Sequence, residues 1–253
     1  MEIKCNTKNI LLSFLLLILI MYNPIELSEK IKKIVCKDNN KKYYRFRPAG
    51  FYGGIATADT VGCNLRCKFC WSTNSVWKPA NTGNFYSPEE VAEKLLDIAE
   101  LKNYHQIRIS GGEPTIGKKH LINVLENVHL DLIFILETNG ILLGFDETYI
   151  DELSKFKNLH IRVCIKGINP KEFSFLTGAE MGYEYQMKSL EYFKDSKINF
   201  NIALVSISKN KTEFYQRLAE IGLEKIMLED EEIKLYPQVR NRLQKEGLIK
   251  YFN

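Results

Sequence analysis

Three cysteines, Cys63, Cys67 and Cys70, fall in one short stretch, Gly62 to Trp71, that reads GCNLRCKFCW with the spacing C-x3-C-x2-C. Thiolates are soft ligands that suit iron–sulfur clusters or zinc. A loop this short can wrap one face of a cubic [4Fe–4S] cluster, one cysteine per iron. Three cysteines leave the fourth iron open to an exogenous ligand, whereas a fully ligated cluster only passes electrons. The other chemistry open to such a set is a structural zinc site of Cys3His type, closed by a distant histidine. No histidine lies between Lys30 and Tyr104, and no second cysteine pair follows at zinc-finger spacing.

Further polar residues sit where strands should end. Ser110 to Pro114 reads SGGEP after an apolar run, and Glu137 to Gly140 reads ETNG. Arg162, Cys164 and Lys166 alternate with Ile161, Val163 and Ile165. Period two puts the polar set on one face of a strand. The apolar face must meet helices, so the polar face looks inward, where charges need partners. Arg108, Glu137 and Glu229 are the candidates. Taken alone, SGGEP is an ordinary turn, Glu137 a solvated strand-end carboxylate and Lys166 a structural ion-pair member.

Together these stretches resemble the radical S-adenosylmethionine (SAM) superfamily, from about Gly54 to the C-terminus. The residues that carry the resemblance are the cysteine loop with Phe69 before its last cysteine, then SGGEP, ETNG and IKGINPKEFSFLTG, Ile165 to Gly178. The branch they are most similar to is that of the pyruvate formate-lyase activating enzyme. The resemblance implies one [4Fe–4S] cluster on Cys63, Cys67 and Cys70, whose open iron chelates SAM. It implies reductive cleavage of SAM to methionine and a 5′-deoxyadenosyl radical that abstracts hydrogen from a substrate. It also implies roles along the SAM site. Phe69 lies near the adenine. Ser110, Gly111 and Gly112 bring the backbone close to the methionine moiety, and Glu113 accepts from the SAM ammonium. Glu137 lies near the ribose or carboxylate, and Lys166 contacts the carboxylate. Two positions depart from that branch. Cys164 stands where a D-x-K pattern has its aspartate, and Trp71-Ser72 follow the last cysteine in place of His-Asn.

The elements that must position these residues follow a β/α rhythm. Strands are expected at Ile55–Val61, Gln106–Ser110, Leu132–Glu137, Leu159–Ile165, Ile198–Ile207 and Lys225–Leu228. Helices are expected from Pro88 to about Leu101, at Lys118–Val128, Asp146–Phe156, Glu184–Lys194, Thr212–Ile221 and Pro237–Lys245. Ser87, Pro88 and Glu90 form a capping-box signature. Six such units predict an α/β fold, a partial (β/α)6 TIM-like barrel with a parallel sheet and its site at the C-terminal strand ends. Ahead of it, Pro24–Cys36 is an amphipathic helix, Lys37–Lys42 a charged turn and Tyr43–Tyr52 an irregular strand. The expected organisation is residues 1–22 as an apolar extension, 23–53 as helix and lead-in, and 54–253 as the core domain.

The chain has 253 residues and a net charge of +4, from 35 basic and 31 acidic side chains. That length supports one sizeable core, and that balance gives no clear nucleic-acid signal. Six cysteines with three clustered argue against a disulfide framework. Cys5, Cys36 and Cys164 are too scattered for a second cluster and read as small hydrophobes. An exposed low-potential cluster needs a reducing compartment, which points to the cytoplasm of an anaerobe. Ile10–Tyr22 is a thirteen-residue apolar run, shorter than the ~20 residues of a membrane span. Upstream sequence before a start at Met21, a membrane-associating anchor and an export signal are the three readings of it.

The implied partners are a low-potential electron donor of ferredoxin or flavodoxin type and a substrate. One reading of that substrate is a glycyl radical enzyme; the other is a small molecule, a peptide or RNA. A non-enzymatic iron–sulfur electron carrier is the reading from outside enzymology, and it would need neither SGGEP nor a barrel.

Overall fold

The chain is described by a computed structural model covering residues 21–196 and 198–252. The expectation for the apolar extension therefore falls almost wholly outside the described residues. No helix among the described residues is long and apolar enough to cross a membrane.

One helix precedes the sheet: α1, Pro24–Val35, capped by Asn23, whose side chain accepts from the amides of Ile25 and Glu26. Two antiparallel strands follow, β1 (Cys36–Lys37) and β2 (Asn40–Ala49). The charged turn expected at Lys37–Lys42 is thus a hairpin, with only Asp38 and Asn39 in its bend. Lys41 and Lys42 are buried because their ammonium groups find backbone carbonyls inside the fold. Strand β2 pairs antiparallel with β3 (Ile55–Thr60), so the lead-in is a rung of the same sheet as the barrel.

The six parallel strands are β3, β5 (Gln106–Gly111), β6 (Ile133–Thr138), β7 (Leu159–Lys166), β8 (Asn199–Val205) and β9 (Leu228–Asp230), in sequence order. The short β4, Asn84–Tyr86, pairs with β2 off this path. This is the expected partial barrel. Between the strands run α2 (Thr73–Trp77), α3 (Pro88–Lys102), α4 (Lys118–Glu126), α5 (Ile141–Phe145), α6 (Glu147–Leu153), α7 (Pro170–Thr177), α8 (Tyr183–Ser196) and α9 (Thr212–Glu220). The closing helix is α10, Pro237–Lys245. The capping box at Ser87 forms as expected, with Ser87 Oγ accepting from Glu90 N and Glu90 accepting from Ser87 N.

Sequence reading passed over α2, β4, α5 and α7 and placed β9 three residues early. Helix α5 is a short, almost wholly apolar run without periodicity. Helix α7 begins with a cap, Asn169 accepting from Glu172 N ahead of Pro170, and ends at Gly178 in the left-handed region. Strand β9 is a charged edge strand whose register is fixed by pairing with β8, Ile202 opposite Leu228.

The sheet separates its faces as period two requires. Ile107, Ile109, Phe134, Leu136, Ile161, Val163, Ile165, Ile202 and Leu204 are all buried in the main core. The opposite face carries Thr57, Arg108, Ser110, Glu137, Arg162, Cys164, Lys166, Asn201 and Glu229, brought side by side by the strand registers.

Candidate functional site

The cysteine loop leaves the C-terminal end of β3, and neighbours from five parts of the chain hold it. Gly62 N donates to Ser75 O in α2, and Gly62 O accepts from Glu113 N. Lys68 N donates to Leu176 O at the end of α7. Arg242 of α10 donates to the carbonyls of Lys68 (2.6 Å) and Cys70. Tyr22 Oη accepts from Arg66 N at 2.6 Å and donates to Thr177 O. Sequence reading missed Tyr22 and Arg242, since a contact between residues so distant in sequence leaves no local pattern.

SGGEP ends β5 beside this loop. Gly111 lies at φ +96°, and an added Cβ would meet Thr60 N at 2.7 Å. A Cβ on Gly112 would stand 2.1 Å from Gly62 O. Gly111 therefore lets the SGGEP backbone lie on the end of β3, and Gly112 lets it lie on the start of the cysteine loop. Glu113 is 1% exposed. Its Oε1 accepts from Thr115 N (3.1 Å), Thr115 Oγ1 (2.7 Å) and Thr138 Oγ1 (2.6 Å), and its Oε2 from Asn139 N (2.8 Å). Oε2 thus keeps acceptor capacity for one more donor.

ETNG joins the other two motifs. Asn139 Oδ1 accepts from Ile141 N, which fixes the amide's orientation and turns Nδ2 towards Asn64 Oδ1 at 2.7 Å. Asn139 O accepts from Gln186 Nε2 of α8 at 2.6 Å. Asn64, Asn139 and Glu113 therefore form a continuous hydrogen-bonded chain across three strand ends. Thr138 and Asn139 are thus the junction of the three loops.

Beneath the carbonyls of the SGGEP loop lies Lys41, 1% exposed. Its ammonium donates to the carbonyls of Glu113 (2.9 Å), Pro114 (2.8 Å) and Ile116. Burial pulls its pKa down to about 8, against the Glu113 carboxylate, which favours the charge.

The inward polar face is an ion-pair network. Glu137 takes Arg108 Nη1 at 3.0 Å and Ser110 Oγ at 2.6 Å. Arg162 pairs with Glu229 at 2.9 Å and stands 4.0 Å from Glu137. These are the partners the alternation called for. Lys166 lies 3.9 Å from Glu231 and 5.6 Å from the Phe69 ring centroid. Burial opposes its charge, but Glu231 outweighs that and holds the ammonium above its ordinary range. Burial also pushes the Cys164 thiol up to about 12. Cys164 is therefore a half-buried neutral thiol on this polar face, and Cys36 is half-buried against Ile116 O. Phe69 is packed against Phe252, their ring centroids 6.0 Å apart.

The donor set of the loop fits an iron–sulfur cluster. All three thiols are free and lie on one loop. Burial pushes each of them up, Cys67 to about 12, so each is a neutral thiol until a metal takes the proton's place. Among the described residues no three His, Cys, Asp or Glu side chains gather around one ion-sized point. A cluster takes one thiolate per iron. The Nδ2 of the fully buried Asn64, next to Cys63, has no hydrogen-bond partner.

Residues 58–226, more than half of the chain, match the Radical SAM superfamily. The chain belongs to the radical SAM superfamily. A [4Fe–4S] cluster and SAM are accordingly its cofactors. A probable GTP 3′,8-cyclase of Methanococcus vannielii is 32% identical over 124 residues, 48% of this chain and 39% of that protein. A putative glycyl-radical enzyme activating enzyme of Methanocaldococcus jannaschii is 33% identical over 111 residues, 40% of each. This radical SAM chain thus spans about two-fifths of the length of those relatives. Native anSMEcpe with bound AdoMet matches with a TM-score of 0.51 at 20% identity, over 75% of this chain and 57% of that one. Streptococcus suis SuiB bound to precursor peptide SuiA gives 0.53 at 18%, over 79% and 46%. These likenesses show the partial-barrel radical SAM fold.

Proposed function

We propose that Cys63, Cys67 and Cys70 hold the cluster of this radical SAM enzyme, and that SAM lies against SGGEP, with Glu113 taking its ammonium on Oε2. The observation that carries this reading is the hydrogen-bonded chain from Asn64 through Asn139 to Glu113, which ties the three motif loops into one rigid floor. When bound, the reduced cluster supplies the electron that cleaves SAM and yields the 5′-deoxyadenosyl radical that abstracts hydrogen from substrate. The protein's part is positional. Phe69 and Lys166 face each other beside the cysteine loop and offer a ring for the adenine and a cation for the carboxylate. Glu137, held by Arg108 and Ser110, offers an acceptor to the ribose.

The substrate reading that follows the sequence resemblance is a glycyl radical enzyme, supported by the M. jannaschii relative. The inward face favours a second reading. Its three cations, Arg108, Arg162 and Lys166, and three carboxylates, Glu137, Glu229 and Glu231, suit a small polar molecule or a peptide. The GTP 3′,8-cyclase relatives and SuiB, bound to a precursor peptide, stand on the same side. Moreover, the Asn-Pro and Thr-Gly of the stretch that resembled the activating enzymes are here the caps of α7. The electron donor we infer is a low-potential ferredoxin or flavodoxin, in the cytoplasm. In support, half-exposed Trp77 beside the cysteine loop has the guanidinium groups of Arg66 and Arg242 5.7 Å and 4.9 Å from its ring centroid, a cationic patch.

Anaerobic reconstitution tests the reading. The expected result is about four irons per chain and 5′-deoxyadenosine formation with dithionite, both lost in Cys67→Ala. Stoichiometric zinc without iron, or a full cluster that never cleaves SAM, would overturn it. A glycine-centred radical signal on an incubated glycyl radical enzyme would select the activating reading; its absence selects the second.

A further inference from the structure

We propose that Arg45 and Arg47 of β2 form an oxyanion subsite on the inward face, beside SGGEP, and that it takes a phosphate group of the substrate. The proposal deepens the second substrate reading above, a small polar molecule, and rests on it.

A β-bulge puts the two arginines on that face. Tyr43 stands opposite Thr60 and belongs to the main core. At period two, Arg45 and Arg47 would follow it into that core. Instead the register shifts between Tyr43 and Arg45, with Tyr44 as the extra residue. One extra residue turns everything beyond it to the other face. Arg45 therefore comes opposite Asp59 and Arg47 opposite Thr57, while Phe46 between them packs on the main core. The face they share is the inward one, where Arg108 Nε donates to Thr57 Oγ1. Asp59 in turn lies opposite Ser110, the first residue of SGGEP. The two guanidinium groups thus border the strand end that carries the proposed SAM site.

Their pairing leaves a positive charge over. Asp59 is fully buried, and a buried carboxylate needs a cation. It has two: Arg45 Nε donates to it at 2.7 Å, and Arg47 through Nε at 2.9 Å and Nη2 at 3.4 Å. Among the described residues neither arginine reaches a second carboxylate. Asp59 engages neither Nη atom of Arg45 and leaves Arg47 Nη1 unengaged. These side chains are 42% and 21% exposed, so a ligand can reach those atoms. The Tyr44 ring lies 5.5 Å from the Arg45 guanidinium, and burial pushes its phenol up, which keeps it a neutral donor. A carboxylate is filled by one pair of guanidinium N–H groups. A phosphate has oxygens for both arginines and for the phenol, and that donor set is what selects it.

The test is calorimetric titration of the full reconstituted protein with inorganic phosphate and, separately, with acetate at the same ionic strength. Wild type should bind one phosphate per chain, and acetate about tenfold more weakly or worse. Arg45→Gln and Arg47→Gln each leave Asp59 one arginine, and each should weaken phosphate by about tenfold. Arg45→Lys keeps the charge without the planar pair of donors, and should bind as weakly as Arg45→Gln. Lys78→Gln removes an exposed cation just after α2, and should leave phosphate binding as it is. Wild type without saturable phosphate binding overturns the proposal. So does phosphate affinity that survives in both glutamine variants, or acetate bound as tightly as phosphate. A wild-type protein that never cleaves SAM overturns the parent reading instead; the phosphate titration needs no cluster and decides the subsite either way.

Discussion

At the scale of single residues, the site is organised around Glu113 and Lys41, which grip the same loop from two sides. Both oxygens of Glu113 receive protein donors, so its carboxylate cannot be replaced by an amide without setting an NH2 against an N–H or hydroxyl donor. Glu113→Gln should therefore cost ~2–3 kcal/mol in stability by chemical denaturation. It should also weaken SAM binding by about ten- to a hundredfold, with iron content retained. Unchanged SAM affinity in a stably folded variant would reduce SGGEP to a turn. Lys41→Met takes a charged donor from three carbonyls, of which Glu113 O keeps Ile116 N at 3.3 Å, at ~1 kcal/mol or more each. A loss of at least about 3 kcal/mol, with faster proteolysis near Pro114, is the expected outcome. Lys41→Arg should not restore stability, because a planar fork does not fit three converging carbonyls. The cysteines and Glu113 could be singled out as candidates in the sequence because the proposed chemistry demands their type and spacing. Lys41 could not, since a lysine in a basic stretch looks like any solvated charge until the strand that carries it is folded under the loop.

At the scale of elements, the motif loops are held by backbone contact and by the ends of helices. Gly112→Ala places a methyl 2.1 Å from Gly62 O, so SGGEP must lift off the cysteine loop. That variant should lose SAM binding and cluster retention together, whereas Glu113→Gln loses only the first; a Gly112→Ala enzyme with normal iron content and SAM affinity would refute the close approach. Helix α10 reaches across the chain to the loop through Arg242. Arg242→Ala frees the carbonyls of Lys68 and Cys70, and iron release to a chelator should quicken several-fold while the secondary structure by circular dichroism stays unchanged. Most of the barrel was readable from period two in the strands and capping residues before the helices. What escaped followed from physics that sequence periodicity does not record. The five residues of α5 are too few for a helical repeat to show. Strand β9 takes its register from β8, and the Lys41 hairpin owes its burial to acceptors more than seventy residues away.

At the scale of the whole molecule, the antiparallel lead-in is joined to the barrel by a buried polar contact that makes the fold sensitive to acid. His120 of α4 is 2% exposed, with Nδ1 2.7 Å from Asn39 O and Nε2 3.0 Å from Tyr43 Oη. A carbonyl can only accept, so Nδ1 carries the proton and neutral Nε2 accepts from the tyrosine. Protonation would turn Nε2 into a donor facing a hydroxyl that already donates to it. Burial is the main cause that pulls the His120 pKa from 6.5 to about 4, helped by Lys41 and opposed by the hydrogen bond to Asn39 and by Glu89. The folded value lies below the unfolded one, so between them the unfolded chain binds a proton that the folded chain refuses. Stability is therefore full above pH 6.5 and is lost as the pH falls towards 4, by about 2–3 kcal/mol at pH 4.5 from this group alone. Carboxylates elsewhere also titrate there, so the measurement is a difference. His120→Gln offers an N–H to Asn39 and an oxygen to Tyr43 without a proton to gain. Urea unfolding of both proteins at pH 7 and pH 4.5 should show wild type losing about 2–3 kcal/mol more than the variant. Parallel losses in the two would mean that the imidazole is protonated without penalty, and that the lead-in is joined to the barrel by other contacts.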